Sequence, residues 1–142
     1  ETKKVADALE MKVAVGEQDA SLWRFQWMME TGVMQIVQPD LNYNGGFVRA
    51  ARVARMARRY SIPIVPHNTQ TGAAAVNILA FASAIPNIGE YMEFPWRTPE
   101  KAASWYSPQF HVKDGMVAVP TGPGLGVEID PKYLAQARRL ES

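Results

Sequence analysis

The sequence predicts an α/β protein: the C-terminal half of a (β/α)₈ TIM-type barrel carrying its last four strands, followed by a C-terminal segment with a hairpin. Three observations predict it. Four short β-like runs recur along the chain, separated by stretches with helical periodicity. Each run ends in a polar or acidic residue. The chemically capable end residues Glu17, Asp40, His67 and Glu93 follow one another at intervals of 23, 27 and 26 residues. Strands alternating with helices of ten or more residues make βα units and a parallel sheet. A repeat of about 25 residues suits a barrel better than a longer doubly wound unit.

The elements follow in order. The runs are Lys12–Glu17 (KVAVGE), Gln35–Asp40 (QIVQPD), Ile62–His67 (IPIVPH) and Ile88–Glu93 (IGEYME). Apolar cores such as VAV and PIV fit a sheet covered on both faces. Helical periodicity marks Ser21–Glu30, Phe47–Tyr60 and Ala73–Ala84. In the second of these, Arg49, Arg52, Arg55, Arg58 and Arg59 lie opposite Ala50, Val53, Ala54 and Ala57. A solvated outer helix is the expectation, its arginine stems covering apolar surface, in preference to an anion-binding stripe. From Phe94 to Pro108 the chain is rich in Pro, Trp and Ser, as in a long crossing loop. A hairpin is expected from Phe110–Val112, the Asp114-Gly115 turn and Met116–Val119. PTGPGLGVEID (Pro120–Asp130) precedes a short helix starting near Pro131. TGPGLG does not join a strand to a helix in a βαβ unit, so no dinucleotide site is expected. The predicted division is residues 1–94 as half a barrel, and residues 95–142 as crossing loop, hairpin and C-terminal segment packing back on the barrel and capping region.

Composition narrows the class. With 47% hydrophobic residues, 20% charged residues and a net charge of +1, the chain has no field suited to nucleic acid. The absence of cysteine excludes a disulfide framework and a thiolate metal site, and fits a cytoplasmic setting. No segment approaches the roughly 18 apolar residues of a membrane span. A length of 142 residues suits one globular domain but not a whole barrel of about 250 residues. The start at Glu1, inside a helix-like stretch, leads us to expect a fragment of a longer protein.

In a parallel barrel the C-terminal strand ends converge on one face, where active sites are built. That placement makes one constellation of four residues. Glu17, after Gly16, is a hard oxygen donor suited to Mg²⁺, with a surface or capping glutamate as the alternative. Asp40 and His67 end adjacent strands, where a carboxylate on one imidazole nitrogen fixes the tautomer and raises the basicity of the other. A general base needs that arrangement. His111 falls in the hairpin and is expected to be structural. Glu93 can donate a hydrogen bond to a developing oxyanion if it carries a proton; Tyr91 shares its face by alternation, and Glu90 competes for the role from earlier in the run. Asn44-Gly45-Gly46 either presents backbone N–H groups to an anion or is a plain turn.

Taken together these motifs resemble the enolase superfamily, specifically its mandelate racemase/muconate-lactonising family and within it the mandelate racemase-like group. The matching pieces are Gly16-Glu17-Gln18, Gln38-Pro39-Asp40 with Asn44-Gly45-Gly46, Pro66-His67-Asn68, Tyr91-Met92-Glu93 and the terminal PTGPGLGVEID. Their order and spacing match over nearly the whole chain. The resemblance implies a divalent-metal enzyme that abstracts the proton α to a carboxylate; a Lys or His base working with Mg²⁺ is a known property of the superfamily. It implies Glu17 as the third of three carboxylate Mg²⁺ ligands, His67 as general acid/base, Asp40 as its dyad partner and Glu93 as the acid on the substrate carboxylate or enediolate. Muconate-lactonising relatives place a lysine near Asp40; this chain has none there, which favours the dyad. The first two metal ligands, a second base and the N-terminal capping domain are absent from the 142 residues, and Asp7 and Glu10, in a helix-like stretch, do not replace them.

The expectation is therefore a parent enzyme that dehydrates an acid sugar with Mg²⁺. The runner-up is racemisation or epimerisation of a 2-hydroxy acid, and a non-catalytic fragment is the alternative of another class. Residues 18–19, 42–44, 68–70 and 94–96 are expected to line the pocket. The expected partners are a small acid sugar or hydroxy acid, the rest of the barrel with its capping domain, and further copies in a homo-oligomer, with neither nucleic acid nor membrane.

Overall fold

The computed structural model describes residues 1–95 and 104–138. The chain divides into two compact units, one of Glu1–Thr69 with Ala84–Glu93, the other of Gln70–Ser83 with the described residues from Phe94 onward.

In the first unit, helix α1 (Thr2–Ala8) leads to strand β1 (Ala14–Val15), helix α2 (Leu22–Glu30), strand β2 (Ile36–Val37) and helix α3 (Gly46–Arg59). β1 and β2 pair in parallel, and parallel bridges Val37↔Ile64 and Ile64↔Ile88 carry the ladder on in chain order. Slanted hydrogen bonds typical of parallel pairing continue across it: Gln38 N donates to Val15 O at 2.9 Å, Val65 N to Val37 O at 2.9 Å and Gly89 N to Ile64 O at 2.8 Å. All four predicted runs therefore lie side by side in parallel, but their regular pairing is much shorter than six residues. Proline is one reason: Pro39, Pro63 and Pro66 have no N–H to give the ladder. In the fourth run only Ile88 bridges, so strand alternation does not govern Tyr91 and Glu93. Tyr91 is 77% exposed, whereas the Glu93 carboxylate is turned toward its neighbours.

The helices form where the periodicity put them. Ser21 caps α2 by accepting a hydrogen bond from Arg24 N, and Phe25, Met28 and Met29, spaced i, i+3 and i+4, bury one face. The helix stops in a Schellman turn: Gly32 at φ +67° gives its N–H to Met29 O, and Val33 gives its N–H to Met28 O. α3 stops the same way, with Ser61 at φ +57° in the position glycine usually takes. The predicted apolar stripe Ala50, Val53, Ala54 and Ala57 is buried. Arg52, Arg55, Arg58 and Arg59 are exposed, while Arg49 is half-buried and donates to Asn44 O and Ala20 O. Asp7 lies in α1, paired with Lys3, whereas Glu10 lies beyond the helix.

In the second unit a 3₁₀ turn (Gly72–Ala75) leads into α4 (Val76–Ala84), so the helix expected from Ala73 begins in a tighter turn. Strand β3 (Tyr106–Ser107) pairs antiparallel with β6 (Glu128–Ile129). The hairpin forms between β4 (Val112–Lys113) and β5 (Met116–Val117). Asp114 (φ +51°) and Gly115 (φ +75°) both occupy the left-handed region that a two-residue turn of this twist requires. Phe110 and the exposed His111 precede β4. Asp130 caps the short helix α5 (Pro131–Leu134), and Trp105 stacks on Tyr133 at 4.8 Å. The expected crossing loop lies partly outside the described residues, as does Trp96 of the expected pocket lining.

Candidate active site

The C-terminal ends of the four parallel segments bring Glu17, Asp40, His67 and Glu93 into one region of the first unit. Glu17 follows Gly16, whose φ of +117° turns the chain sharply at the end of β1. A side chain at Gly16 would place its Cβ 2.7 Å from the Phe25 ring, so α2 packs directly on the turn that presents Glu17.

Asp40 stands three residues beyond β2, and its side chain is 3% exposed. Its Oδ1 accepts from the backbone N–H groups of Asn42 at 2.6 Å and Tyr43 at 3.0 Å, folding the following loop into an Asx-type turn. Its Oδ2 lies 2.8 Å from His67 Nδ1. A carboxylate only accepts hydrogen bonds, so this contact assigns the proton to Nδ1 and leaves the lone pair on Nε2. Nε2 in turn lies 3.6 Å from Glu17 Oε2, beyond hydrogen-bonding distance but close enough to attract an imidazolium. The result is a carboxylate–imidazole–carboxylate series with an exposure gradient from buried Asp40, through His67 at 15%, to Glu17 at 55%. Such an arrangement can act as a base through Nε2, the nitrogen on the side of the more exposed Glu17.

Glu93 sits beside this series, anchored to the segment that carries His67. Asn68 N donates to Glu93 Oε2 at 2.8 Å, and Asn68 Nδ2 to the Glu93 carbonyl at 3.2 Å. Gln38 Nε2 lies 3.5 Å from Oε1. The Glu93 carboxyl group therefore accepts hydrogen bonds in this arrangement, while a role as donor requires a proton on it. Glu90 is exposed and takes no part.

Of three neighbours of the site, Tyr43 and Asn68 fall among the residues expected to line the pocket, whereas Gln38 went unassigned in the sequence. Gln38 and Asn68 stood inside the QPD and PHN motifs, but nothing in one sequence tells which side chain turns toward Glu93. Tyr43, whose ring lies 6.5 Å from the imidazole at 27°, comes alongside only through the Asp40 turn. The anion-nest alternative for Asn44-Gly45-Gly46 is weakened, because Gly46 N donates to Leu41 O at 2.7 Å.

Glu17 fits one position in a site for a hard cation: an exposed carboxylate at a strand end. Among the described residues no group of three His, Cys, Asp or Glu side chains could hold a metal by itself. Nor is any helix among them long and apolar enough to cross a membrane.

The parallel βα order and this strand-end constellation define an enolase-type α/β domain, and the chain matches the family model "Enolase C-terminal domain-like" over residues 1–133. It belongs to that family, within the mandelate racemase-like branch of the enolase superfamily. It is 34% identical over 134 residues to the D-galactarolactone cycloisomerase of Agrobacterium fabrum, a match covering 89% of this chain and 35% of that protein. It is 29% identical over 142 residues to the D-galactonate dehydratase of Verminephrobacter eiseniae, covering 96% and 37%. A Roseobacter denitrificans crystal structure provisionally assigned as a racemase matches with a TM-score of 0.86 at 37% identity, covering 96% of this chain and 38% of that one. The chain thus spans little more than a third of the length of these relatives, which are themselves superfamily enzymes or enzyme-like proteins.

Proposed function

We propose that the protein containing this chain is a Mg²⁺-dependent acid-sugar dehydratase. The observation that carries this reading is the Asp40–His67 pair, with the proton assigned to Nδ1 and the free Nε2 directed to the side where Glu17 stands. The chain supplies residues 1–94 as half of a barrel and residues 95–142 as its returning C-terminal segment. The remaining strands, two further carboxylate ligands and the capping domain come from the rest of the protein. Glu17 and those ligands would hold Mg²⁺, which would supply positive charge to offset the negative charge developing on the substrate.

His67 Nε2 accepts the proton α to that carboxylate, or gives a proton to the departing β-hydroxyl. Asp40 holds the imidazole in the right tautomer and stabilises the imidazolium; such a positioned base contributes roughly 10²–10⁴-fold. Glu93, carrying a proton, donates a hydrogen bond to the oxygen on which negative charge develops. A working homo-oligomer in the cytoplasm belongs to the same proposal.

The second reading is racemisation or epimerisation of a 2-hydroxy acid. It is favoured by the racemase assignment of the Roseobacter neighbour, and it needs a second base outside this chain. One experiment separates the readings. The full-length protein is incubated with a panel of acid sugars and 2-hydroxy acids in D₂O, and products are followed by NMR. A 2-keto-3-deoxy product supports dehydration, whereas α-deuteration with inversion and no loss of water supports racemisation. EDTA removes activity and Mg²⁺ restores it, and His67→Asn abolishes turnover in a folded protein. Turnover indifferent to EDTA, or full activity in His67→Asn, overturns the proposal.

A further inference from the structure

We infer that Gln38 is a positioning residue for Glu93, its amide deciding whether that carboxyl group accepts or donates a hydrogen bond. The inference rests on the proposed role of Glu93 and deepens it. The two oxygens of Glu93 have different neighbours. Oε2 faces the backbone N–H of Asn68 at 2.8 Å, a donor that cannot reverse its role, and the buried Asn68 side chain also fastens the Glu93 carbonyl. A hydroxyl oxygen is a poorer acceptor than a carbonyl or carboxylate oxygen, so a proton on Glu93 belongs on Oε1. Oε1 faces the amide of Gln38 at 3.5 Å, a long contact that leaves the amide free to turn. A terminal amide presents an NH₂ donor or, rotated by half a turn, a carbonyl acceptor of nearly the same shape. Gln38 thus complements both forms of Glu93: NH₂ toward the carboxylate, C=O toward the protonated acid.

Gln38 is well placed for this. Its backbone N–H is fixed to Val15 O at 2.9 Å, so the side chain departs from the paired end of β2, two residues before Asp40. The titratable groups on the segments around Glu93 are Asp40 and His67, with Glu17 at 3.6 Å from the far side of the imidazole, and Glu90 and Tyr91 on its own stretch. Asp40 and His67 are committed to each other at 2.8 Å, and Glu90 and Tyr91 are exposed.

The test uses the full-length protein with Gln38→Glu and Gln38→Met, read in two ways. The first is the pH titration of the protonated-carboxyl C=O stretch of Glu93 by infrared difference spectroscopy, assigned through Glu93→Gln; it requires no turnover. A glutamate at position 38 puts a second carboxyl group against Oε1, and paired carboxyls share a proton. The Glu93 band then persists about one pH unit or more higher in Gln38→Glu than in the parent protein. In Gln38→Met, which keeps the bulk but neither donor nor acceptor, the band shifts in frequency because its partner is gone. The second readout is kinetic: Gln38→Met lowers kcat about tenfold or more with KM changed less than threefold, and Gln38→Glu moves the basic limb of the kcat/KM profile upward. A band with unchanged midpoint and frequency in both variants overturns the inference even if acid sugars are dehydrated. A shifted band in a protein that turns over no acid sugar leaves it standing and overturns the proposed function instead.

Discussion

Asp40 divides one carboxylate between two tasks: Oδ1 closes the turn through Asn42 and Tyr43, and Oδ2 orients His67. The two are separable because asparagine keeps the shape and an acceptor oxygen while removing the charge. Asp40→Asn is therefore expected to fold, with the amide oxygen still closing the turn and its NH₂ now facing Nδ1. That NH₂ drives the imidazole to the wrong tautomer, with the proton on Nε2. In the full-length protein we expect kcat to fall by roughly a hundredfold or more, while circular dichroism is unchanged. Wild-type turnover in this variant would separate Asp40 from the chemistry. What one sequence conveys at this scale is residue type and strand-end position. Direction is another matter: Gln38, Tyr43 and Asn68 are ordinary polar residues until the fold turns them toward Glu93 and His67.

At the scale of elements, the βα repeat carries each candidate site residue to its place through local devices. α2 is the clearest case, since Phe25 lies over Gly16 and leaves no room for a Cβ there. Gly16→Ala adds a clash at 2.7 Å to a backbone at φ +117°, each unfavourable alone. We expect a loss of about 2 kcal/mol or more in denaturant unfolding of the full-length protein, together with weaker Mg²⁺ affinity because Glu17 is displaced. A variant as stable as the parent and with the same metal affinity would show that the turn does not position Glu17. Helix positions were predictable here because amphipathic spacing and caps act within one or two turns, as at Ser21 and along Ala50, Val53, Ala54 and Ala57. Strand extents were not, because pairing depends on neighbours distant in sequence and on which prolines fall against them. The fourth run shows the consequence: with pairing only at Ile88, alternation said nothing about Glu93.

For the whole molecule, the parallel ladder from β1 to Ile88 leaves an outer edge at each end among the described residues. Exposed apolar side chains such as Met11, Trp23 and Trp27 accompany it. Open parallel edges and uncovered apolar surface favour association. The 142-residue chain produced alone is therefore expected to bind the dye ANS strongly and to aggregate, while the full-length protein binds little. Equal dye binding by both would show that the chain needs no further covering.

By itself the sequence determined the alternation of strands and helices, the helix faces and the four strand-end groups Glu17, Asp40, His67 and Glu93, because each depends on local period, capping and residue chemistry. The tertiary structure alone decided that Asp40 meets His67 Nδ1, that Glu17 faces Nε2, and that Gln38 and Asn68 take opposite oxygens of Glu93. Those contacts join residues 25 to 55 positions apart. No local preference specifies them; the parallel register and the turns at the strand ends do.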